Sequence, residues 1–317
     1  MRKALVIGID YYKNVSCLNG CVNDANAVKG VLERNGDGSL NFDVKMITNS
    51  SAVSYVSKEK IFEEIGNLFL CDDTALLYFS GHGASNNSHG FLITSECKSI
   101  IDGIGMDYIL SLANNSKAKN RIIILDCCHA GHFGGSNAFN KTAVLDEGVT
   151  ILSACKSDES AIEKSGNGLF TGLLVDALNG SAADLIGQIS PGSIYSHIDQ
   201  SLGAWEQRPV FKTNIEYFIS LRNVQPNIEI NELREIVNLF PYPNNEFELN
   251  RSYEESCASE AKPENVVKFK ILQKMFKVNL VRPIGEEYMY YAALKNKSCK
   301  LTALGVHYWN LVTKKRI

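Results

Sequence analysis

From residue 3 to about 220 the chain alternates short, largely apolar runs with longer segments of helical spacing. The runs are "KALVIGI", "FDVKMIT", "TALLYFS", "RIIILDC", "GVTILSA" and "EYFISL". A strand buried on one face alternates polar and apolar residues, whereas near-continuous β-branched runs belong to strands covered on both faces. Between them, "NDANAVKGVLER", "SKEKIFEEIGNLFL", "MDYILSLANNS", "LFTGLLVDAL" and "SIYSHIDQSLGAW" carry apolar residues at helical intervals. This alternation predicts an α/β domain, with a mostly parallel sheet between two helical layers. In such open sheets ligands sit beyond the carboxyl ends of the strands, so the residues that end the runs are the first candidates for chemistry.

At 317 residues the chain has room for that domain and a smaller one. Around 222–231 "RNVQPNIEIN" interrupts the pattern with a proline and polar residues, which places the expected domains at 1–222 and 223–317. From 226 onward there are 14 Lys and Arg against 11 Glu and no Asp, about +3, leaving about −6 for the front part. The tail reads as a helix in "ENVVKFKILQKMFKVNL", a less regular middle stretch, and a closing helix from about Thr302. It resembles a winged helix-turn-helix module, a small α+β domain. Leu301, Leu304, Tyr308 and Leu311 give the closing helix an apolar core stripe. A net charge of −3 with 21% charged residues offers no field that would make nucleic acid or an anionic membrane the default partner. There is no run of 18 apolar residues, and "MRKALVIGID" passes from two basic residues into a strand without a signal-peptide cleavage pattern. The expected location is the cytoplasm, with no membrane partner. Nine scattered cysteines, an odd number, point to reduced thiols.

Two run ends carry the candidate chemistry. "RIIILDCCHAG" ends in adjacent cysteines, and "TALLYFSGHGAS" ends in a histidine followed by glycine. Side chains alternate along a strand, so Asp126 and Cys128 point one way while Cys127 points with Leu125 toward the core. Neighbouring strands ending this way would bring the His82 imidazole and the Cys128 thiol together. A free thiol has a pKa of about 8.5, and a nearby imidazole raises its thiolate fraction or takes its proton during attack. Gly83 lets its N–H approach a substrate oxygen, and with the Cys128 N–H it would form an oxyanion hole. The histidine precedes the cysteine by 46 residues, near the spacing of about 50 known for caspase-type proteases. Asp126, beside the nucleophile, would raise the thiol pKa, so it is suited to holding a substrate cation rather than to activation.

"YFSGHGA" and "DCCHAG", together with "ALVIGIDYY", "LNGCVNDA", "ILSAC" and "QRPVF", resemble a caspase-like cysteine peptidase of the metacaspase branch over residues 3 to about 221. The resemblance implies a caspase-type three-layer αβα sandwich, a Cys128–His82 dyad and peptide-bond hydrolysis. It also implies that Asp24, Asp126 and Ser80 line a pocket for Arg or Lys at P1, where Arg could bond a carboxylate bidentately. Asp24 also stands where Asp is favoured as an N-cap, for "ANAVKGVLER". Calcium activation in some relatives uses clustered aspartates; here Glu96, Asp102 and Asp107 are spread apart, so no cofactor is expected to be required. Lys141 is a candidate self-cleavage site. "CHAGH" has no usual metal spacing, so no metal site is expected.

The expected partners are a protein or peptide substrate with a basic P1 residue and a regulatory protein acting through the C-terminal module. Nucleic-acid contact through "TKKRI" comes second, since basic chain ends are commonly solvated. Bacterial relatives with such a module resemble effectors of stress or phage defence. The competing expectation is a catalytically silent scaffold whose winged-helix part binds DNA or protein.

Overall fold

The computed structural model describes residues 1–86, 89–127, 144–154, 163–164, 167–203, 208–257 and 259–317. The chain divides into two compact units, one formed by Met1–Ala183 and Gln188–Gln225, the other by Asp184–Gly187 and Pro226–Ile317. In chain order the first contains β1 (Arg2–Ile9), α1 (Cys21–Leu32), β2 (Asp43–Asn49), α2 (Lys58–Leu68), β3 (Thr74–Ser80), β4 (Gly83–Ser85), β5 (Gly90–Leu92), β6 (Ile104–Gly105), α3 (Met106–Asn114), β7 (Asn120–Asp126), β8 (Val149–Ser153), β9 (Glu163–Lys164), β10 (Asn167–Gly168), α4 (Leu169–Asp176), β11 (Gln188–Ile189), α5 (Pro191–Ser201), β12 (Val210–Asn214) and β13 (Arg222–Asn223).

Six strands form the central sheet in the order β12-β8-β7-β3-β1-β2. All neighbours are parallel except β12, which runs antiparallel to β8. Alternation along the strands builds two cores. Leu5, Ile7, Leu77, Phe79, Ile123 and Leu125 pack with residues of α2 and α3; Val6, Leu76, Tyr78, Ile122 and Ile124 pack with α1, α4 and α5. Gly8 permits the tight seat of α1, because a Cβ there would stand 2.3 Å from the Cys21 carbonyl oxygen and 2.7 Å from the Ala25 Cβ. Among the described residues no helix is long and apolar enough to cross a membrane.

One expected strand is displaced. "EYFISL" is not a strand, and the preceding Val210–Asn214 takes the sheet edge instead. An edge strand is covered less completely than a central one, so its sequence carries more polar residues. Thr213 meets Thr150 hydroxyl to hydroxyl at 2.8 Å and Phe211 stacks on Tyr195 at 5.2 Å, while Tyr217 and Phe218 of "EYFISL" are exposed. The antiparallel patch β4-β5-β6, directly after β3, was not legible, since strands of two or three residues are too short for periodicity.

The second unit contains α6 (Ile230–Arg234), α7 (Ile236–Leu239), β14 (Glu246–Glu248), α8 (Pro263–Lys277), β15 (Val281–Pro283), α9 (Met289–Leu294), β16 (Ser298–Leu301) and α10 (Ala303–Thr313). Its antiparallel sheet has the order β14-β16-β15, with α9 in the connection between the paired β15 and β16. Leu233, Phe240, Phe269, Leu272, Val281 and Cys299 centre a core of its own. Thr302 caps α10, its hydroxyl accepting the Gly305 N–H at 3.0 Å.

Candidate active site

Parallel register aligns Gly8, Ser80 and Asp126 in one row across the carboxyl ends of β1, β3 and β7. Gly81 and His82 follow β3, and Cys127 follows β7. Cys127 is buried in the same core as Leu125, on the face opposite the one where Asp126 lies. Cys128 lies outside the described residues, as do His129, His132, Lys141 and Cys155.

His82 is held from three directions. Its Nε2 stands 2.8 Å from the Ser16 carbonyl oxygen, which can only accept, so Nε2–H is the donor there and Nδ1 is the ring nitrogen that presents a lone pair in the neutral tautomer. Its main-chain N–H donates to the Tyr12 hydroxyl at 2.8 Å, and its carbonyl accepts the Ile93 N–H at 2.9 Å. The two rings lie 4.6 Å apart, tilted by 56°. Burial pushes the Tyr12 phenol well above its ordinary pKa, so it serves as a neutral strut. Gly81 fits under that strut, since a Cβ there would lie 2.6 Å from the Tyr12 hydroxyl. Gly83 opens β4 opposite Leu92. Sequence reasoning missed Tyr12 and Ser16 because nothing in "DYYKNVS" marks a loop that folds back over the end of β3.

Three of the other candidate residues come together on the face covered by α1 and α4. Asp24 and Ser80 are each 2% exposed and Asp126 is 6% exposed. Both Asp24 oxygens stand 3.2 Å from the Gly168 N–H, and the Ser80 hydroxyl donates to Oδ2 at 3.2 Å. The Thr171 hydroxyl donates to Asp126 Oδ2 at 2.7 Å, so Tyr78, 2.5 Å from Thr171, is the donor to Thr171. Both carboxylates converge on one Cα: a Cβ on Gly168 would lie 2.3 Å from Asp126 Oδ2 and 3.1 Å from Asp24 Oδ2. Burial first, then the charges of Asp126 and Asp24, push the Tyr78 phenol well up. Burial likewise raises the Cys21 thiol, with Asp10, Asp126 and Asp24 adding to it against a Ser80 hydrogen bond.

Asp24 is not the N-cap of α1. Gly20 occupies that position, and Asp10 at the end of β1 accepts the Cys21 and Val22 N–H groups at 2.8 and 3.4 Å. Gly168, Thr171 and Tyr78 were also missed; the one hint was the glycine that opens α4 in "NGLFTG". Glu96, Asp102 and Asp107 each serve a separate local contact. Glu96 accepts the Lys58 N–H at 2.6 Å, Asp102 accepts those of Lys98 and Ser99 at 3.1 and 2.9 Å, and Asp107 pairs with His89 at 2.5 Å. Among the described residues no group of three His, Cys, Asp or Glu side chains is arranged to hold a metal ion.

A family model described as "Caspase domain" matches residues 1–218, more than two thirds of the chain. The chain belongs to the caspase domain family. Metacaspase-6 of Arabidopsis thaliana is 26% identical over 143 residues, which cover 41% of this chain and 38% of the plant protein. The chain thus spans about two fifths of that curated relative's length. Among solved structures, Caspase-1 of Spodoptera frugiperda aligns with a TM-score of 0.52 at 13% identity, covering 70% of this chain and 90% of its own. A structural-genomics protein of Geobacter sulfurreducens aligns with a TM-score of 0.51 at 18% identity, covering 71% and 97%. At these identities the two structures speak for the fold, a caspase-like α/β sandwich, and the family is that of caspase-like proteases.

Proposed function

We propose that the protein is a cysteine endopeptidase that cleaves after Arg or Lys. The observation that carries this reading is the convergence of the buried Asp24 and Asp126 carboxylates beside Gly168, on the sheet edge that also carries His82. Two carboxylates directed at one point offer a guanidinium paired oxygens for parallel N–H donors and an ammonium a focus of negative charge. In this mechanism Cys128 Sγ attacks the peptide carbonyl carbon while its proton passes to His82 Nδ1. The N–H groups of Gly83 and Cys128 hold the oxyanion. Collapse of the tetrahedral intermediate expels the amine, which takes the proton from His82, and water then attacks the acyl-enzyme to release the acid and restore the thiol. No metal enters these steps, and calcium is not required. A regulatory protein acting on the second unit, and service as an effector in bacterial defence, extend the same reading.

The test is a fluorogenic panel with Arg, Lys, Asp or Leu at P1, with and without calcium, on wild type and Cys128→Ala. Cleavage after Arg and Lys that disappears in the variant is the expected result. Absence of basic-P1 cleavage under every condition would sink the specificity, and turnover surviving Cys128→Ala would sink the mechanism.

A further inference from the structure

His82 also borders a cavity of about 370 Å³ on the sheet face opposite the two carboxylates. Val15, Ala84, Ile93, Cys97 and Ile100 form its apolar walls, and Lys98 and Ser99 line it beside His82 and Gly83. Ile93 and Cys97 are buried, while Val15 and Ile100 form a half-exposed rim at 46% and 44%. The frame is fixed by hydrogen bonds between the segments that carry the walls. Lys13 N–H donates to the Ser95 carbonyl at 2.8 Å, and the Asn14 amide donates to the carbonyls of Glu96 and Cys97 at 3.1 Å each. Asn49 adds a bond to the Ser95 hydroxyl at 2.6 Å. The cavity is therefore preformed and mostly apolar with a few polar groups, the character expected of a side-chain pocket.

We infer that this cavity receives a large apolar side chain at P1′, the residue whose amine leaves. The inference rests on the peptidase reading above. The imidazole that returns a proton to the leaving nitrogen must face that nitrogen, so the residue attached to it lies against His82. The P1 side chain, on the other side of the scissile bond, enters the carboxylate site on the opposite sheet face. A substrate drawn across the sheet edge would then place a cation on one face and an apolar group on the other. One methylene more or less in an apolar pocket is worth about 10- to 200-fold, so glycine at P1′ should lose at least about tenfold against a leucine-sized side chain.

The experiment is digestion of a diverse peptide library by the full chain, with cleavage sites read by mass spectrometry, so that P1, P1′ and P2 frequencies come from the same products. Enrichment of Leu, Ile, Phe or Met at P1′ is the expected result, falling to parity in a Val15→Asp/Ile100→Asp variant and persisting in Ile100→Val. Both rim residues are half exposed, so the double variant should fold; its circular dichroism spectrum checks this. Basic P1 enrichment with no P1′ preference, or apolar enrichment at P2 instead, overturns this assignment and leaves the P1 reading standing. Apolar P1′ enrichment without basic P1 does the reverse, and no cleavage at all overturns both.

Discussion

Thr171 stands between a phenol and a carboxylate, giving its proton to Asp126 and taking one from Tyr78. Replacing it with valine keeps the shape and leaves two buried polar groups without that partner. Each such loss costs about 1–3 kcal/mol, so Thr171→Val should lower stability by that order in urea titrations. It should also raise KM for Arg substrates more than it lowers kcat, because Asp126 loses its orientation while His82 does not. Equal falls in kcat and kcat/KM would place Thr171 elsewhere in the reaction. Tyr12 makes the complementary case. Tyr12→Phe keeps the ring beside His82 and deletes the acceptor of the His82 N–H. The expected outcome is a kcat reduced about tenfold with KM little changed, and a shifted pH dependence of thiol alkylation. An unaltered pH profile would reduce Tyr12 to a packing residue.

At the scale of elements, α2 is tied to β2 through Glu64, which is 4% exposed and meets Lys45 at 2.6 Å and Lys60 at 2.7 Å. Hydrogen bonds from Lys45, then Lys60, hold its carboxyl below the ordinary value of 4.5. A carboxyl whose folded pKa is lowered stabilises the fold above its unfolded pKa and loses that contribution as pH falls through the folded value. Glu64→Gln should therefore melt below wild type at pH 7, with the gap closing below about pH 4. A gap undiminished at pH 3 in scanning fluorimetry would rule out the charge pair as its origin. Glycines give a sharper contrast. Gly30 in α1 has open space around its Cβ position, so Gly30→Ala should stabilise by about 0.5–1 kcal/mol. Gly168→Ala would push a methyl against both carboxylates and should abolish basic-P1 turnover. These elements also show what the sequence conveyed. The central strands were legible because burial on both faces leaves them almost wholly apolar, and Cys127 could be assigned to the core by alternation. The edge strand Val210–Asn214 was not, because partial cover lets polar residues in, and "EYFISL" looked more strand-like than it is. Asp24, Ser80 and Asp126 came from motif resemblance; Gly168, Thr171 and Tyr12 reach the site through tertiary folding that no local pattern records.

At the scale of the whole molecule, the chain holds two separately packed units, and the second has a complete core of its own. Leu272 lies at its centre with no exposed surface, on α8 among Phe269, Met275 and Val281. Truncating a fully buried leucine removes its transfer energy and leaves a cavity, at a cost of about 2–5 kcal/mol. The front unit packs against its own six-stranded sheet, so that cost should fall on the second unit alone. Leu272→Ala should accordingly lower one calorimetric transition and leave the other in place, whereas Ile123→Ala, in the sheet of the front unit, should move only the transition that Leu272→Ala spares. If either substitution shifts both transitions together, the two units unfold as one cooperative system, and a signal received by the C-terminal unit could then change the stability of the fold that carries His82 without any local contact to it.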